Sequence, residues 1–111
     1  DHDFLFSKTS HLPHVISYSL TESLFKNLGD KTFDFSGGSL EDYTRIASSD
    51  PLMWKDIMIS NHQNILDSIE DFEESLANLK GLIKRKDENA LVDYFNRVKV
   101  LRDNSVKSDE L

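Results

Sequence analysis

Apolar residues recur every three or four positions along most of this chain, the spacing that places side chains on one face of an α-helix. The first segment, from about His2 to Leu28, has apolar residues four positions apart. They are Leu12, Ile16, Leu20 and Leu24. Pro13 lies inside this segment and has no backbone N–H to donate, so we expect a helix kink that frees carbonyl groups near Ser10.

Turn and capping residues divide the chain after this first helix. Gly29 to Gly38 is predicted to be a loop, with Gly29 following the helix end, and Phe33 to Phe35 is too short to count as a strand. A short helix is predicted from about Leu40 to Ala47, with a capping box that starts at Ser39.

A new helix is predicted to start after Asp50. Asp50 is a suitable N-cap, and Pro51 suits the first helical position. Further on, apolar residues alternate spacings of four and three, a pattern we call the heptad seam. Its members are Ile65, Ile69, Phe72, Leu76, Leu79 and Ile83, and Leu66 and Leu82 widen it.

The last part of the chain is predicted to be one further helix. Basic residues after the heptad seam suit the negative end of a helix dipole, and Asp87 can cap the helix that follows. The apolar face of this helix consists of Leu91, Tyr94, Phe95, Val98 and Leu101. We expect one domain over residues 1–104 and a polar tail over residues 105–111.

No segment has convincing alternation with a period of two, so the predicted fold is all-α. The net charge of −7 repels phosphate backbones, so we expect no nucleic-acid partner. The apolar runs are too short for a membrane helix, and the chain has no Cys for thiolate chemistry. These properties fit a cytoplasmic protein. Because the chain begins at Asp1 without Met, we expect it to be part of a longer protein.

Two clusters of residues could carry chemistry. In the first, Ser10 and His14 are four residues apart and can share a helix face. A hydroxyl and an imidazole can both hydrogen-bond a ligand, although two surface histidines would have the same spacing. Zinc is a weaker interpretation of His11 and His14, because zinc usually takes three or four protein ligands, and we expect no metal.

In the second cluster, Arg45 follows Asp42 by one helical turn, so the two can pair. Such a pair would orient the guanidinium for bidentate binding of a carboxylate. An exposed ion pair with only a structural role has the same spacing. Trp54, the one tryptophan, suits core or interface packing as well as a site near a ligand.

These clusters resemble the prephenate and arogenate dehydrogenases of tyrosine biosynthesis. The C-terminal domain of that family carries H-D and then S-H-L-P-H, which correspond here to residues 2–3 and 10–14. It later carries D-x-T-R-I-A and S-D-P-x-M-W, which correspond to residues 42–47 and 49–54. The motifs occur in the family's order and spacing, and the resemblance spans nearly the whole chain.

The resemblance implies a helical-bundle dimerisation domain with one long central helix, like the C-terminal domains of 6-phosphogluconate dehydrogenase-like enzymes. It implies a homodimer that acts on prephenate or arogenate, with NAD or NADP and the catalytic histidine held by an N-terminal domain outside this chain. No catalytic or cofactor-binding residue is then expected here, and the chain alone should be inactive. A non-enzymatic helical interaction domain is the alternative.

The resemblance also assigns roles to individual residues. Arg45 would bind a substrate carboxylate, and Ser10 and His14 would hydrogen-bond the substrate in the same pocket. Asp42 would orient Arg45 or close the pocket, and Trp54 would lie near the pocket or the dimer contact. The heptad seam would supply much of the dimer interface, although a monomer core has the same pattern.

Overall fold

The computed structural model describes residues 1–34 and 37–110, with side chains described through residue 106. Within these residues the chain is helical and contains no strand, which confirms the all-α prediction. The elements are α1 (His2–Phe6), a π-helical turn (Ser7–His11), α2 (Leu12–Leu28), a 3-10 turn (Gly29–Lys31), α3 (Gly38–Arg45), a second 3-10 turn (Ile46–Ser48), α4 (Pro51–Ser60), α5 (His62–Arg85) and α6 (Glu88–Glu110).

The chain divides into two compact units, Asp1–Asp71 and Phe72–Leu111. None of the helices described is both long and apolar enough to cross a membrane. The predicted division into a domain ending at residue 104 and a polar tail stays a prediction. The backbone of α6 is helical to Glu110, while Leu111 lies outside the described residues.

A π-helical turn, Ser7–His11, ends two residues before Pro13, near the position where the sequence predicts a kink. Pro13 occupies the first turn of α2, where its missing N–H costs little. The turn is wider than an α-helix because the Leu12 N–H reaches back to the carbonyl of Ser7. The hydroxyls of Ser7 and Thr9 donate to the carbonyls of Phe4 and Leu5, at 2.6 and 3.1 Å.

Serine residues hold this π-helical turn close to α5. Ser7 is completely buried, and its Oγ lies 3.0 Å from the Oγ of Ser68. Lys8 extends the contact, since its Nζ lies 3.1 Å from Asp71 Oδ2 and donates weakly to Ser68 at 3.4 Å. The small serine side chains allow the two backbones to approach, and the shared hydrogen bond removes the cost of burying two hydroxyls.

Most predicted helix ends are confirmed by their hydrogen bonds. Gly29 has a φ of 55° and its N–H donates to the Phe25 carbonyl, so it ends α2 as expected. The carboxylates of Asp50 and Asp87 accept backbone N–H groups at the starts of α4 and α6. The capping box at Ser39 is wrong, because α3 already begins at Gly38 and no side chain caps it.

The loop predicted from Gly29 to Gly38 contains a 3-10 turn at its start, and Phe35 and Ser36 lie outside the described residues. A break that the apolar pattern did not predict separates α4 from α5. Asn61 forms this break with a φ of −113° and a ψ of 26°. Its N–H still donates to the Ile57 carbonyl, and its own carbonyl accepts from Ile65.

The buried apolar core of the described chain is small. Among the large apolar side chains that the structure describes, only Trp54 and Ile65 are buried, with 7% and 3% of their surface exposed. Burial decreases along the heptad seam, from Ile65 to Leu76 at 52% and Ile83 at 57% exposure. The seam therefore contributes to the core of the first unit at its start and presents apolar surface further on.

Shortening Ile65 should destabilise the fold strongly. Ile65→Ala is expected to lower the free energy of unfolding by about 2–5 kcal/mol, because it removes three carbon atoms from a closed environment. Ile65→Val, which removes one methyl group, should cost about 1 kcal/mol. Urea denaturation of both variants measures the difference, and equal small losses would contradict a packed core at this position.

Candidate functional site

Trp54 lies in the first turn of α4, and two histidines from the first helical segment pack against its indole. The imidazole of His14 stacks on it, with ring centroids 3.7 Å apart and an interplanar angle of 22°. His11 meets the indole edge-on, with centroids 5.9 Å apart and an angle of 83°. The Asp50 cap and Pro51 fix the start of α4, so the indole is held by backbone geometry as well as by packing.

The hydrogen-bond partner of His14 determines its tautomer. Its Nδ1 lies 2.8 Å from the backbone carbonyl of Ser10, and a carbonyl can only accept. The proton is therefore on Nδ1, and a neutral His14 keeps a lone pair on Nε2 with which to accept a hydrogen bond. The Ser10 hydroxyl makes no hydrogen bond to another described residue, so both groups have capacity for a ligand.

His11 has the opposite tautomer. The side-chain amide of Asn61 donates to His11 Nδ1 at 3.2 Å, so that nitrogen carries no proton and Nε2 does. The same amide nitrogen donates to the carbonyl of Asp3 at 2.8 Å, and Asn61 Oδ1 accepts from Asn64 at 2.9 Å. These three partners are consistent with one orientation of the Asn61 amide only.

The surroundings of His11 favour its neutral form. Burial lowers the pKa of His11 below its usual 6.5, and the nearby His14 lowers it further. The carboxylate of Asp3 opposes both effects and raises the pKa, but not enough to restore it. His11 is therefore uncharged at neutral pH.

A separate cavity of about 530 Å³ lies where α2 meets α3 and the turns that follow each helix. Arg45 and Asp42, the pair singled out from the sequence, both line it. The other lining residues are Thr21, Phe25, Phe33, Glu41, Thr44, Ala47 and Ser48. The cavity thus combines aromatic surface, one guanidinium and two carboxylates, a mixture suited to a small amphipathic ligand.

The ion pair that the sequence spacing allows between Asp42 and Arg45 is absent from the described structure. Both residues are exposed, and an ion pair in water gains too little to offset the loss of side-chain freedom. Thr44, between them, is buried and uses its hydroxyl on the carbonyl of Leu40 at 2.9 Å. The guanidinium of Arg45 is therefore oriented by neither Asp42 nor Thr44 and remains available to a ligand.

Helix α2 connects the two groups of residues. His14 and Thr21 are seven residues apart and lie on one helix face, about 10 Å from each other along the axis. Between them, Ser17 is buried and donates to the carbonyl of Tyr43 at 2.9 Å, which attaches α3 to α2. The imidazole cluster and the Arg45 cavity therefore follow one another along the same face of α2.

The structure thus brings Ser10, His14 and Trp54 together and brings Asp42 and Arg45 together. It places neither Ser10, His14 nor Trp54 among the cavity-lining residues. Asn61 was missed by sequence reasoning. The polar stretch Ser60-Asn61-His62 between two apolar patterns is typical of a helix end and is the one signal that could have drawn attention to it.

A family of domains described as prephenate dehydrogenase, dimerization domain, matches residues 1–97 of this chain. The chain belongs to this family. Membership confirms the resemblance that the S-H-L-P-H and D-x-T-R-I-A motifs carry.

Relatives of prephenate dehydrogenase type agree with this membership. The prephenate dehydrogenase of Bacillus subtilis is 34% identical over 105 residues, covering 93% of this chain and 28% of that protein. The cyclohexadienyl dehydrogenase of Zymomonas mobilis is 36% identical over 97 residues, covering 85% of this chain and 33% of that protein. The chain therefore spans about a third or less of the length of these relatives.

A solved structure also resembles the chain. The prephenate dehydrogenase from A. aeolicus, crystallised in complex with hydroxyphenyl propionate and NAD+, is 44% identical and superimposes with a TM-score of 0.83. The match covers 91% of this chain and 36% of that one.

The lowered pKa of His11 should make stability depend on pH. The folded state binds fewer protons than the unfolded state once the pH falls below 6.5, so the free energy of unfolding should decrease as the pH is lowered from 6.5 through the folded-state pKa. Urea denaturation between pH 5 and pH 8 should show this decrease in the natural chain and a weaker one in His11→Gln. His62→Gln, which changes an exposed histidine, is the control. Identical slopes in all three proteins would contradict the assignment.

Proposed function

We propose that this chain is the dimerisation and substrate-binding part of a prephenate dehydrogenase. The full protein would convert prephenate to 4-hydroxyphenylpyruvate and CO2 while reducing NAD or NADP, in the cytoplasm. The observation that carries the proposal is the cavity containing Arg45 on the same face of α2 as His14. Family membership supports the same conclusion.

Arg45 is proposed to bind a carboxylate of the substrate. Prephenate carries two carboxylates, and a guanidinium binds such a group with two parallel charge-assisted hydrogen bonds. The aromatic surface of Phe25 and Phe33 would reduce the access of water and so strengthen the interaction. The A. aeolicus relative was crystallised with hydroxyphenyl propionate, an aromatic carboxylate, which is the chemistry that this cavity suits.

Ser10, His14 and Trp54 are proposed to form the second part of the site. The hydroxyl of Ser10 and the Nε2 of His14 would hydrogen-bond the substrate, while Trp54 holds the His14 ring in place. A ligand that contacts both the Arg45 cavity and the imidazole of His14 must extend about 10 Å along α2. Alternatively, a further domain would enclose the ligand between these two groups. Asp42 would close the Arg45 cavity rather than orient the guanidinium, because no ion pair joins the two.

NAD or NADP does not fit the residues present here. The described chain has no strand, and Gly37-Gly38 does not form the glycine-rich turn that holds a pyrophosphate. We propose that another domain of the full protein binds the cofactor and supplies the catalytic histidine. The reaction transfers a hydride from the ring carbon that bears the hydroxyl and releases the ring carboxylate as CO2, which makes the ring aromatic. This domain would contribute by positioning the substrate.

Arogenate is a second candidate substrate, and one observation is consistent with it. Arogenate carries an ammonium group beside the side-chain carboxylate, and Glu41 and Asp42 line the same cavity as Arg45. Either carboxylate would pair with that ammonium group while Arg45 binds the neighbouring carboxylate. Comparing kcat/KM for prephenate and arogenate distinguishes the two enzymes.

Replacing Arg45 should weaken substrate binding selectively. In the full-length enzyme, Arg45→Ala is expected to raise the KM for prephenate about tenfold to a hundredfold, because a charge-assisted hydrogen bond contributes about 1.5–3 kcal/mol. The KM for the cofactor should change less than about twofold. Steady-state kinetics with each substrate varied in turn measures both values.

Arg102→Ala, which removes an exposed arginine from α6, is the matched control and should leave both KM values unchanged. An unchanged prephenate KM in Arg45→Ala would contradict the proposed substrate site. A full-length protein that binds neither prephenate nor arogenate would favour the non-enzymatic interaction domain.

The proposed assembly is a homodimer formed through α5 and α6. Large apolar side chains are exposed along both helices in the single chain, and they would bury this surface in a symmetric interface. Leu76 and Ile83 belong to the heptad seam of α5, and Phe95, 54% exposed, lies on the apolar face of α6. The family description as a dimerization domain supports this use of the surface.

Charge placed on this surface should dissociate the dimer. The natural protein should have the mass of a dimer in light scattering, whereas a Leu76→Glu/Ile83→Glu double variant should move toward the monomer mass at micromolar concentration. Ser75→Glu adds charge at an exposed polar position of the same helix and should remain dimeric. A monomer mass for the natural protein at every concentration would refute the proposal.

A further inference from the structure

The imidazoles of His11 and His14 both pack against the indole of Trp54, yet their hydrogen bonds assign them opposite tautomers. His14 keeps its proton on Nδ1 because Ser10 offers only a carbonyl, and His11 keeps its proton on Nε2 because Asn61 offers only an N–H. From this arrangement we propose that Asn61 is a positioning residue that holds His11 in its neutral form. His14 is then the imidazole that takes up a proton when an anionic substrate binds.

Asn61 is well suited to this role because it is held firmly in one orientation. Only 8% of its surface is exposed, and both its backbone groups are used, by Ile57 and Ile65. Its side chain donates to the Asp3 carbonyl and accepts from Asn64 in addition to its contact with His11. Rotating the amide by half a turn would place its oxygen against the Asp3 carbonyl and its nitrogen against a donor, so the N–H must face His11.

The charges around His11 explain why its protonation state matters for its neighbour. Asp3 faces it from α1 and His14 from α2, while Trp54 and Asn61, which carry no charge, face it from α4 and from the turn before α5. A charged His11 would repel a charge on His14. An Asn61 that donates to Nδ1 prevents His11 from being protonated there, because the imidazolium form needs a proton on both nitrogens.

This inference rests on the proposed function, since proton uptake by His14 has a purpose only if an anion binds near it. It goes beyond that function by assigning a role to two residues, Asn61 and His11, that need not touch the substrate. Its consequence is that the charge state of the cluster is determined by an asparagine on the turn between α4 and α5.

The test uses the full-length enzyme labelled with 15N-histidine. In the natural protein at pH 7.5, the nitrogen shifts of His11 should show an unprotonated Nδ1 and a protonated Nε2. The His11 resonances are identified by their loss in His11→Gln. A protonated Nδ1 in the natural protein would overturn the proposal whether or not any variant folds.

The informative variant is Asn61→Asp, which has nearly the same shape but can only accept. His11 should then become protonated on Nδ1, its pKa should rise, and the KM for prephenate should increase about tenfold while the cofactor KM stays within about twofold.

Asn89→Asp is the matched control, since it makes the same substitution at an exposed position of α6. It should leave the His11 shifts and the prephenate KM near their natural values. An unchanged tautomer in Asn61→Asp would overturn the proposal, and so would a changed tautomer with an unchanged prephenate KM. Failure of the proposed function would appear differently, as natural enzyme without turnover of prephenate or arogenate.

Discussion

The burial of Trp54 is the constraint on which the first unit of this domain depends. Its indole is one of only two large apolar side chains buried among the described residues, and both histidines of the first segment pack on it. A core this small cannot hold several short helices by apolar area alone. Polar contacts complete it: Ser7 with Ser68, Ser17 with Tyr43, and Asn61 with three partners.

Because of these polar contacts, the residues of the candidate site also hold the helices together. The hydrogen bond that assigns the tautomer of His11 also attaches the π-helical turn to Asn61, between α4 and α5, and the same Asn61 amide attaches α1 through the Asp3 carbonyl. Any change in the packing around Trp54 would therefore alter the hydrogen-bonding capacity of the imidazoles. Arg45 is different, because it lies exposed on a cavity wall and its removal should affect ligand binding more than folding.

The small core and the exposed apolar surface are directly related. A chain of 111 residues that buries so few apolar side chains by itself leaves much of its apolar surface open to water. Burying that surface against a second copy would supply stability that the single chain lacks. The proposed dimer thus follows from the same shortage of core that makes the serine and asparagine contacts necessary.

The sequence by itself determined the helical class, the C-terminal end of α2, the starts of α4 and α6, and the motifs of the family, because caps, proline and apolar spacing act locally. It could not determine that Pro13 would follow a π-helical turn, since that turn is held by Ser68, far away in the chain. It also missed Asn61, and it allowed an Asp42–Arg45 pair that the described structure lacks. Tertiary structure decided these points, because burial and the partners of each donor depend on which distant segments meet.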